Sequence, residues 1–179
     1  MKKIIICLSI FTAFVISSCS DTEVRDERQM MISQIDSLQK RMINPKNMEL
    51  DKNLAQQGIN AYEDFANKYP DDSLSAEYLF RASDLSRGVG DNVKALETLK
   101  KICKKYPNYK KIPDCIFLQG YYMQEFFGDT SGAKKYYQEL LTKYPNHPFA
   151  DDAQALVSMF GKSEEQILKE FEKNAEAKK

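Results

Sequence analysis

The sequence is poor in the residues that most enzymatic and metal sites need. Its 179 residues include no Trp, one His and four Cys, with no Cys-x-x-Cys pair and no His/Cys cluster. A single His leaves too few ligands for a conventional zinc site and no acid–base triad built on His. We therefore expect no enzymatic activity, no metal and no cofactor.

Two further absences limit which class of partner and which class of fold are expected. The 26 Lys and Arg residues are balanced by 26 Asp and Glu and are spread along the chain. Proteins that bind nucleic acid need a basic face to neutralise phosphates, so nucleic acid is not an expected partner. Only five valines occur and no apolar–polar alternation is present, which argues against a β-sheet.

The first residues have the pattern of an export signal. Two lysines follow Met1 and precede an apolar run from Ile4 to Ile16. A basic start followed by a run of this length is typical of a signal peptide. The run is too short to span a bilayer, so no transmembrane helix is expected here.

The end of that signal indicates a lipid anchor. Residues 16–19 read Ile-Ser-Ser-Cys, which resembles the lipobox of bacterial lipoproteins. The resemblance implies that residues 1–18 are a signal peptide, that Cys19 carries palmitate-type lipid, and that 19–26 form a tether. In that family an Asp directly after the Cys marks inner-membrane retention; Ser20 stands there instead, which favours the outer membrane. The alternative is an ordinary signal peptide cut elsewhere, which would release a soluble protein.

Three Lys-Tyr-Pro triplets mark an internal repeat. They end at Pro70, Pro107 and Pro145, spaced 37 and 38 residues apart. Twelve, eight and five residues before each Pro stand a small residue and two larger, mostly apolar ones, in the sets Gly58/Tyr62/Phe65, Ala95/Leu99/Ile102 and Ala133/Tyr137/Leu140. This 4-3 spacing places them on one helix face. Because Pro disfavours the helical state of the preceding residue, each triplet is predicted to end an amphipathic helix.

Three glycines mark a second series. Gly90, Gly128 and Gly161 each follow a small residue by eight positions, and these small residues are Ala82, Gly120 and Ala153. The glycines permit the turn that reverses the chain. Asp91, Asp129 and Ser163 follow within two residues and are predicted to cap the next helix. The repeating unit is therefore helix, glycine turn, helix, Lys-Tyr-Pro and loop.

A hairpin of this size cannot bury its apolar face alone, so successive hairpins are expected to stack. The sequence predicts an all-α fold, a helical-hairpin solenoid of four hairpins and eight helices. Its first helix, 27–43, is predicted from an apolar stripe that consists of Met31, Ile35, Leu38 and Met42. The predicted units are a leading hairpin (27–70), two repeats (71–107 and 108–145) and a C-terminal capping repeat (146–179).

The repeat pattern resembles tetratricopeptide repeats over residues 50–174. The matching residues are Ala82, Gly90-Asp91, Ala95 and Pro107 in one unit, and Gly120, Gly128-Asp129, Ala133 and Pro145 in the next. The usual Trp is absent, and Gln166 stands where the last unit should have Ala. The longer period with Tyr-Pro endings is similar to outer-membrane lipoproteins of the BamD type and to periplasmic division proteins of the CpoB type.

The resemblance implies a partner-binding groove lined by the first helix of each hairpin. The candidate groove residues are Phe80, Phe117, Leu118, Tyr121, Tyr122 and Glu125. The register is open by one residue, so either Leu118 with Tyr122 or Phe117 with Tyr121 faces the groove. Most rings in this aromatic segment are expected to pack between hairpins.

The cysteines left after removal of the signal form one candidate disulfide. Cys103 and Cys115 lie six residues either side of Tyr109 in the predicted loop, which places them at the same height on adjacent antiparallel helices. A disulfide between them is plausible in an oxidising compartment. The alternative is that both are small packing residues.

These features predict a lipid-anchored protein–protein interaction adaptor in the bacterial envelope. It would sit at the outer membrane, on the periplasmic face or the cell surface, as a monomer apart from its partner and with no small-molecule substrate. The leading role is a component of outer-membrane protein assembly. The alternatives are a periplasmic scaffold linked to division or peptidoglycan, which predicts oligomers through the first helix, and an accessory subunit of a surface uptake complex.

Overall fold

The computed structural model describes residues 17–43, 48–163, 165–169 and 173. Seven helices follow one another in this part of the chain, and they are α1 (Ser17–Met42), α2 (Lys52–Lys68), α3 (Ser75–Val89), α4 (Asn92–Lys105), α5 (Ile112–Glu125), α6 (Thr130–Lys143) and α7 (Ala150–Met159). A short helical run over 165–169 follows α7 and is the eighth helical segment of the described residues. Within the described ranges the extended structure is a single bridge between Ile43 and Leu50. The predicted all-α fold is confirmed.

Each Lys-Tyr-Pro triplet ends a helix, as predicted. The helices α2, α4 and α6 all stop at the Lys of the triplet. The Tyr that follows is the C-cap, and the amide N–H groups of Tyr69, Tyr106 and Tyr144 donate to carbonyls four residues back. A basic residue in the last turn stabilises the negative end of the helix dipole.

The glycine turns are also confirmed. Gly90, Gly128 and Gly161 have φ angles of 94°, 64° and 83°, a region that favours residues without a side chain. The carboxylates of Asp91 and Asp129 then accept hydrogen bonds from backbone N–H groups of the next helix.

The last helical run has a different start. The hydroxyl of Ser163 accepts a hydrogen bond from the N–H of Gln166, and the Gln166 amide oxygen accepts from the N–H of Ser163. Such a reciprocal pair satisfies two free donors at a helix start. Gln166 therefore departs from the repeat pattern because its side chain closes this capping box.

The small residues of the two series lie where helices approach each other. Ala82, Ala95, Ala133 and Ala153 have no exposed surface. At Gly120, an added Cβ would lie 2.7 Å from the Tyr137 ring. The core continues along the stack, from Ile35, Ile59 and Phe65 near the first hairpin to Leu99, Ile116 and Leu140 farther along.

The first helix begins earlier than predicted. The apolar stripe predicts a start at 27, whereas α1 begins at Ser17, so residues 19–26, expected as a tether, are helical. The stripe itself packs inward, with Ile35 and Met42 buried. Residues 23–26 are exposed. A helical segment surrounded by solvent needs no repeating apolar residues, so the sequence pattern does not reveal it.

The three loops after the helices α2, α4 and α6 share one backbone pattern. Three residues after the capping Tyr, the N–H groups of Asp72, Tyr109 and His147 donate to that Tyr's carbonyl, at 3.1, 2.9 and 3.0 Å. The carbonyls of the same three residues then accept from the amide three residues further on. The loops are therefore structural repeats as well.

Side chains at this loop position contact the first helix of the hairpin that has just ended. Asp72 pairs with Arg28 at 2.5 Å, and the Tyr109 hydroxyl donates to Glu77 at 2.6 Å. His147 Nε2 lies 3.7 Å from an Asp114 carboxylate oxygen. We call these three contacts the loop clasps; each ties a connecting loop back to α1, α3 or α5.

Each helix packs chiefly against the helices before and after it in sequence. This arrangement is that of a solenoid, in which each unit contacts only its neighbours. Among the described residues, none of the helices combines the length and apolar content that crossing a membrane requires. Residues 1–16 of the predicted signal peptide, and the side chain of Cys19, lie outside what the structure describes.

Candidate partner-binding clefts

The helices α5 and α7 are the first helices of two successive hairpins. Each packs mainly on the helices next to it in sequence, so an open cleft remains between α5 and α7. Its volume is about 360 Å³. The residues that line it are Phe117, Tyr121, Gln124, Glu125, Asp152, Ala155, Leu156 and Met159. We call it the α5–α7 cleft.

Aromatic rings support the floor of this cleft. Phe117 is half-buried and stacks on Phe149, with ring centroids 4.5 Å apart, and its ring also lies 5.4 Å from Tyr137. Tyr137 is fully buried, and burial raises its pKa to about 12. These aromatic rings are therefore packed against one another and carry no charge at neutral pH.

Three large apolar side chains stand exposed at the C-terminal end of α5, and one of them, Tyr121, lines the cleft. Tyr121, Phe126 and Phe127 are 38, 40 and 42% exposed, and we call them the aromatic rim. Tyr121 and Phe126 meet edge to face at 6.2 Å. Exposed aromatics grouped in this way mark surfaces that bind other proteins more often than scattered ones do.

The charge beside the cleft is negative. Glu125 and Asp152 are exposed lining residues, and no Lys or Arg of the described ranges lines the cleft. Glu125 accepts a hydrogen bond from the neighbouring side-chain amide of Gln124, at 3.0 Å. The α5–α7 cleft thus offers apolar surface between two solvated carboxylates.

The structure separates the two registers that the sequence left open. Tyr122 is fully buried, so its assignment to the groove is wrong: the ring packs in the core next to Phe126. Leu118 is half-buried and packs against the same core. Phe117 and Tyr121 are the pair that lines the cleft. Whether they bind a partner stays a prediction.

Phe80 lies in a second cleft. This cleft, of about 350 Å³, is bounded by the end of α1, by α3 and by the start of α5, and includes Met42, Arg81, Asp84 and Lys111. The Phe80 ring is half-buried, and the Lys111 ammonium lies 4.5 Å from its centroid. Phe80 is therefore covered by a cation and presents less apolar surface than the aromatic rim.

Glu77 organises the polar side of this second cleft. Burial acts to raise the pKa of Glu77, but hydrogen bonds from Tyr109, Lys111 and Arg81 outweigh it and lower the pKa to about 2. Lys111 and Arg81 lie 3.2 Å from the carboxylate. Sequence reasoning missed this network because Tyr109 and Lys111 lie more than 30 residues after Glu77, and only the pair of Glu77 with Arg81 follows the i, i+4 spacing of a helix.

Cys103 and Cys115 are free thiols in the structure. The candidate disulfide between them stays a prediction, and a hydrogen bond between the two side chains places them next to each other. The side-chain amide of Gln119 donates to the Cys103 sulfur at 3.2 Å and to the Cys115 carbonyl at 3.1 Å. The sequence correctly predicts that the two cysteines adjoin across α4 and α5.

Other sequence features have structural roles. His147 is half-buried: its Nδ1 accepts from the N–H of Phe149 at 3.3 Å, and its other nitrogen faces Asp114. Asp151 and Asp152 lie in the first turn of α7, where they favour the helix dipole. No cluster of metal-binding side chains occurs in the described part of the chain.

Two segments of the chain are similar to a known protein family. Residues 76–109 and 114–147 match the family model of the tetratricopeptide repeat. These ranges cover α3 and α4, and α5 and α6, with the loops that follow. No curated protein matches the chain. Tetratricopeptide repeats build extended surfaces that bind other proteins. The fold is a helical-hairpin solenoid, and its two matched segments are similar to tetratricopeptide repeats.

Proposed function

We propose that the chain is a lipid-anchored, non-enzymatic adaptor of the bacterial envelope that holds a segment of another envelope protein in the α5–α7 cleft. The observation that carries this proposal is the exposed ring of Tyr121, which lines an acidic cleft and contacts the exposed ring of Phe126. Aromatic anchors next to a pocket supply most of the binding energy in many interfaces.

The chemistry of the cleft selects the partner segment. An apolar side chain can enter between Tyr121 and Leu156, and Lys or Arg on either side of it can pair with Glu125 and Asp152. Opposite charges at the edge of an interface raise the association rate and reject acidic competitors. We therefore propose a segment with an apolar anchor flanked by basic residues.

Within the envelope, the role that we propose is attachment to the machinery that assembles outer-membrane proteins. The similarity to lipoproteins of the BamD type supports it, as does the burial of the α1 stripe. Ile35 and Met42 pack on the chain's own solenoid, so this face is not free to form a coiled coil. That burial favours a monomeric adaptor over the oligomeric division scaffold.

The lipid anchor at Cys19 has its own test. In cells fed labelled palmitate, the full chain should incorporate label, and Cys19→Ser should not. Cys7→Ser is the matched control and should label normally, because Cys7 would leave with the signal peptide. Label that persists in Cys19→Ser would contradict the anchor while leaving the cleft untouched.

Cross-linking in living cells tests the partner. A photoreactive phenylalanine analogue in place of Tyr121 should cross-link a component of the barrel-assembly machinery, which mass spectrometry identifies. The same analogue in place of Val93, which is 55% exposed on α4 and outside both clefts, is the control and should not. Division proteins at Tyr121 would replace the assembly role, and equal cross-linking at both positions would contradict the cleft.

A charge reversal tests the chemistry of the segment. Glu125→Lys with Asp152→Lys should weaken binding of the identified partner at least about tenfold, because both proposed ion pairs with basic residues of the partner are lost. The affinity should also depend less on salt. Asp64→Lys with Glu97→Lys makes the same charge change outside the cleft and should leave affinity within about twofold. Isothermal titration calorimetry at low and high salt measures both.

A further inference from the structure

The thiols of Cys103 and Cys115 form a pair that the proposed function does not use. Cys103 lies in the last turns of α4 and Cys115 in the first turn of α5, so the pair joins two successive repeats. Each sulfur lies within hydrogen-bonding reach of the other. Gln119, which is 3% exposed, donates its amide to the Cys103 sulfur.

The two thiols are not equivalent. Cys115 has no exposed surface, whereas Cys103 is half-buried and so within reach of a reagent in solution. Hydrogen bonds from the Cys115 thiol and from Gln119 lower the pKa of Cys103, while donating to Cys103 raises the pKa of Cys115. Because the thiolate is the nucleophile, Cys103 is the side chain that reacts first.

We propose that Cys103 and Cys115 are an oxidation site, at which a disulfide-bearing oxidant creates a covalent link between the repeats 71–107 and 108–145. The geometry carries this: the two thiols are hydrogen-bonded to each other, Cys103 is half-buried rather than buried, and the buried amide of Gln119 donates to the Cys103 sulfur and to the Cys115 carbonyl.

The reaction balances as thiol–disulfide exchange. The Cys103 thiolate attacks one sulfur of the oxidant, the oxidant's S–S bond breaks, and its first thiol leaves with a proton from solvent. Cys115 then loses its proton and attacks the Cys103 sulfur, which expels the second thiol. Two protein thiols are oxidised and one disulfide is reduced to two thiols. The oxidant never has to reach the buried Cys115.

The link would fix α4 against α5. It would close a short loop around Tyr109 and so reduce the conformational freedom of the unfolded chain. Since α5 carries both the cleft floor and Tyr121, the same link would limit movement of the α5–α7 cleft. Its formation in cells rests on the proposed envelope location, because reducing compartments keep thiols free.

The test uses the full chain with Cys7→Ser and Cys19→Ser, so that two thiols remain. Folded protein is titrated with oxidised glutathione and mapped by mass spectrometry without reduction. We expect loss of two hydrogens, one cross-linked peptide pair, and a thermal midpoint raised by roughly 5–10 °C and restored by dithiothreitol. With Cys115→Ser added, the glutathione adduct should accumulate on Cys103 instead.

Three outcomes would overturn the site. A glutathione adduct that persists on Cys103 while Cys115 is present would show that the second step fails. A disulfide that forms only in denaturant, or that lowers the thermal midpoint, would show that the folded chain opposes it. A fourth result is separable: a disulfide in vitro but free thiols in alkylated cells would contradict the envelope location and leave the site standing.

Discussion

Tyr121 and Tyr122 are neighbours in sequence with opposite positions in the fold. Tyr122 is fully buried, whereas Tyr121 is 38% exposed beside the cleft. One residue of helix turns the side chain by about 100°, so a register error of one exchanges core and surface. Sequence periodicity leaves that error open here, because both positions are tyrosine and the aromatic segment is apolar on more than one face.

This difference gives a prediction at the residue scale. Tyr122→Ala should lower the free energy of unfolding by about 3–5 kcal/mol, since it leaves a cavity in the core. Tyr121→Ala should cost less than about 1 kcal/mol because its ring is partly solvated. Urea denaturation of both variants measures the difference. Similar losses in the two would contradict the register and the cleft assignment.

A second residue-scale prediction concerns two glycines. In Gly120→Ala the new Cβ would meet the buried Tyr137 ring at 2.7 Å, and overpacking a rigid neighbour costs about 1–3 kcal/mol. In Gly58→Ala the obstruction is the terminal methyl of Met42, a flexible side chain that can move away. Gly58→Ala is the matched control: both glycines lie inside helices and both variants gain up to about 1 kcal/mol of helix propensity, so the difference between them comes from the neighbour that must move. Thermal unfolding should therefore separate the two variants clearly.

At the scale of elements, the sequence pattern predicts the features that recur from one hairpin to the next. The helix ends at the Lys-Tyr-Pro triplets, the glycine turns and the caps at Asp91 and Asp129 are all anticipated, because propensity and steric limits act locally. The loop clasps are not, because each joins positions more than 30 residues apart through side chains that differ from repeat to repeat. Backbone geometry repeats in the loops, while the contact chemistry changes from Asp–Arg to Tyr–Glu to His–Asp.

The clasp at Tyr109 gives a prediction for its loop. Tyr109→Phe removes the hydroxyl that donates to Glu77 at 2.6 Å, and loss of a hydrogen bond to a charged group should cost about 1.5–3 kcal/mol. Tyr106→Phe is the matched control: its hydroxyl is buried and has no hydrogen-bond partner among the residues that the structure describes, so its removal should be neutral or slightly stabilising. Urea denaturation midpoints at neutral pH test both variants. Equal effects would contradict the proposal that the hydrogen bond from Tyr109 to Glu77 stabilises the fold.

For the whole molecule, the clasps and the Glu77 network predict sensitivity to acid. The folded chain lowers the pKa of Glu77 to about 2, from 4.5, and the Arg28 hydrogen bond lowers the pKa of Asp72. A carboxyl whose pKa falls on folding stabilises the fold above its unfolded pKa, and that contribution is lost as pH falls toward the folded value. The free energy of unfolding should therefore decline between about pH 5 and pH 2.

Glu77→Gln separates this contribution from general acid effects. It should lower stability at pH 7 by about 1–3 kcal/mol, since the charge-assisted hydrogen bonds weaken, and should flatten the decline between pH 5 and pH 2. Glu97→Gln, an exposed carboxyl on α4, is the control and should keep the slope. Denaturation curves at four or five pH values measure it, and an unchanged slope in Glu77→Gln would contradict the network.

Packing of each helix on its sequence neighbours also determines how the chain reaches this fold. Contacts that join nearby segments give a low contact order, and helical proteins of that kind fold in microseconds to milliseconds. Any hairpin can nucleate, and the next can add to it without waiting for a distant strand or domain. A further hairpin inserted at one of the Lys-Tyr-Pro loops would meet the same backbone geometry as the existing ones, although its side-chain contacts would be its own. The length of the stack, and with it the number of clefts, can therefore change by whole hairpins without altering the way the remaining ones fold.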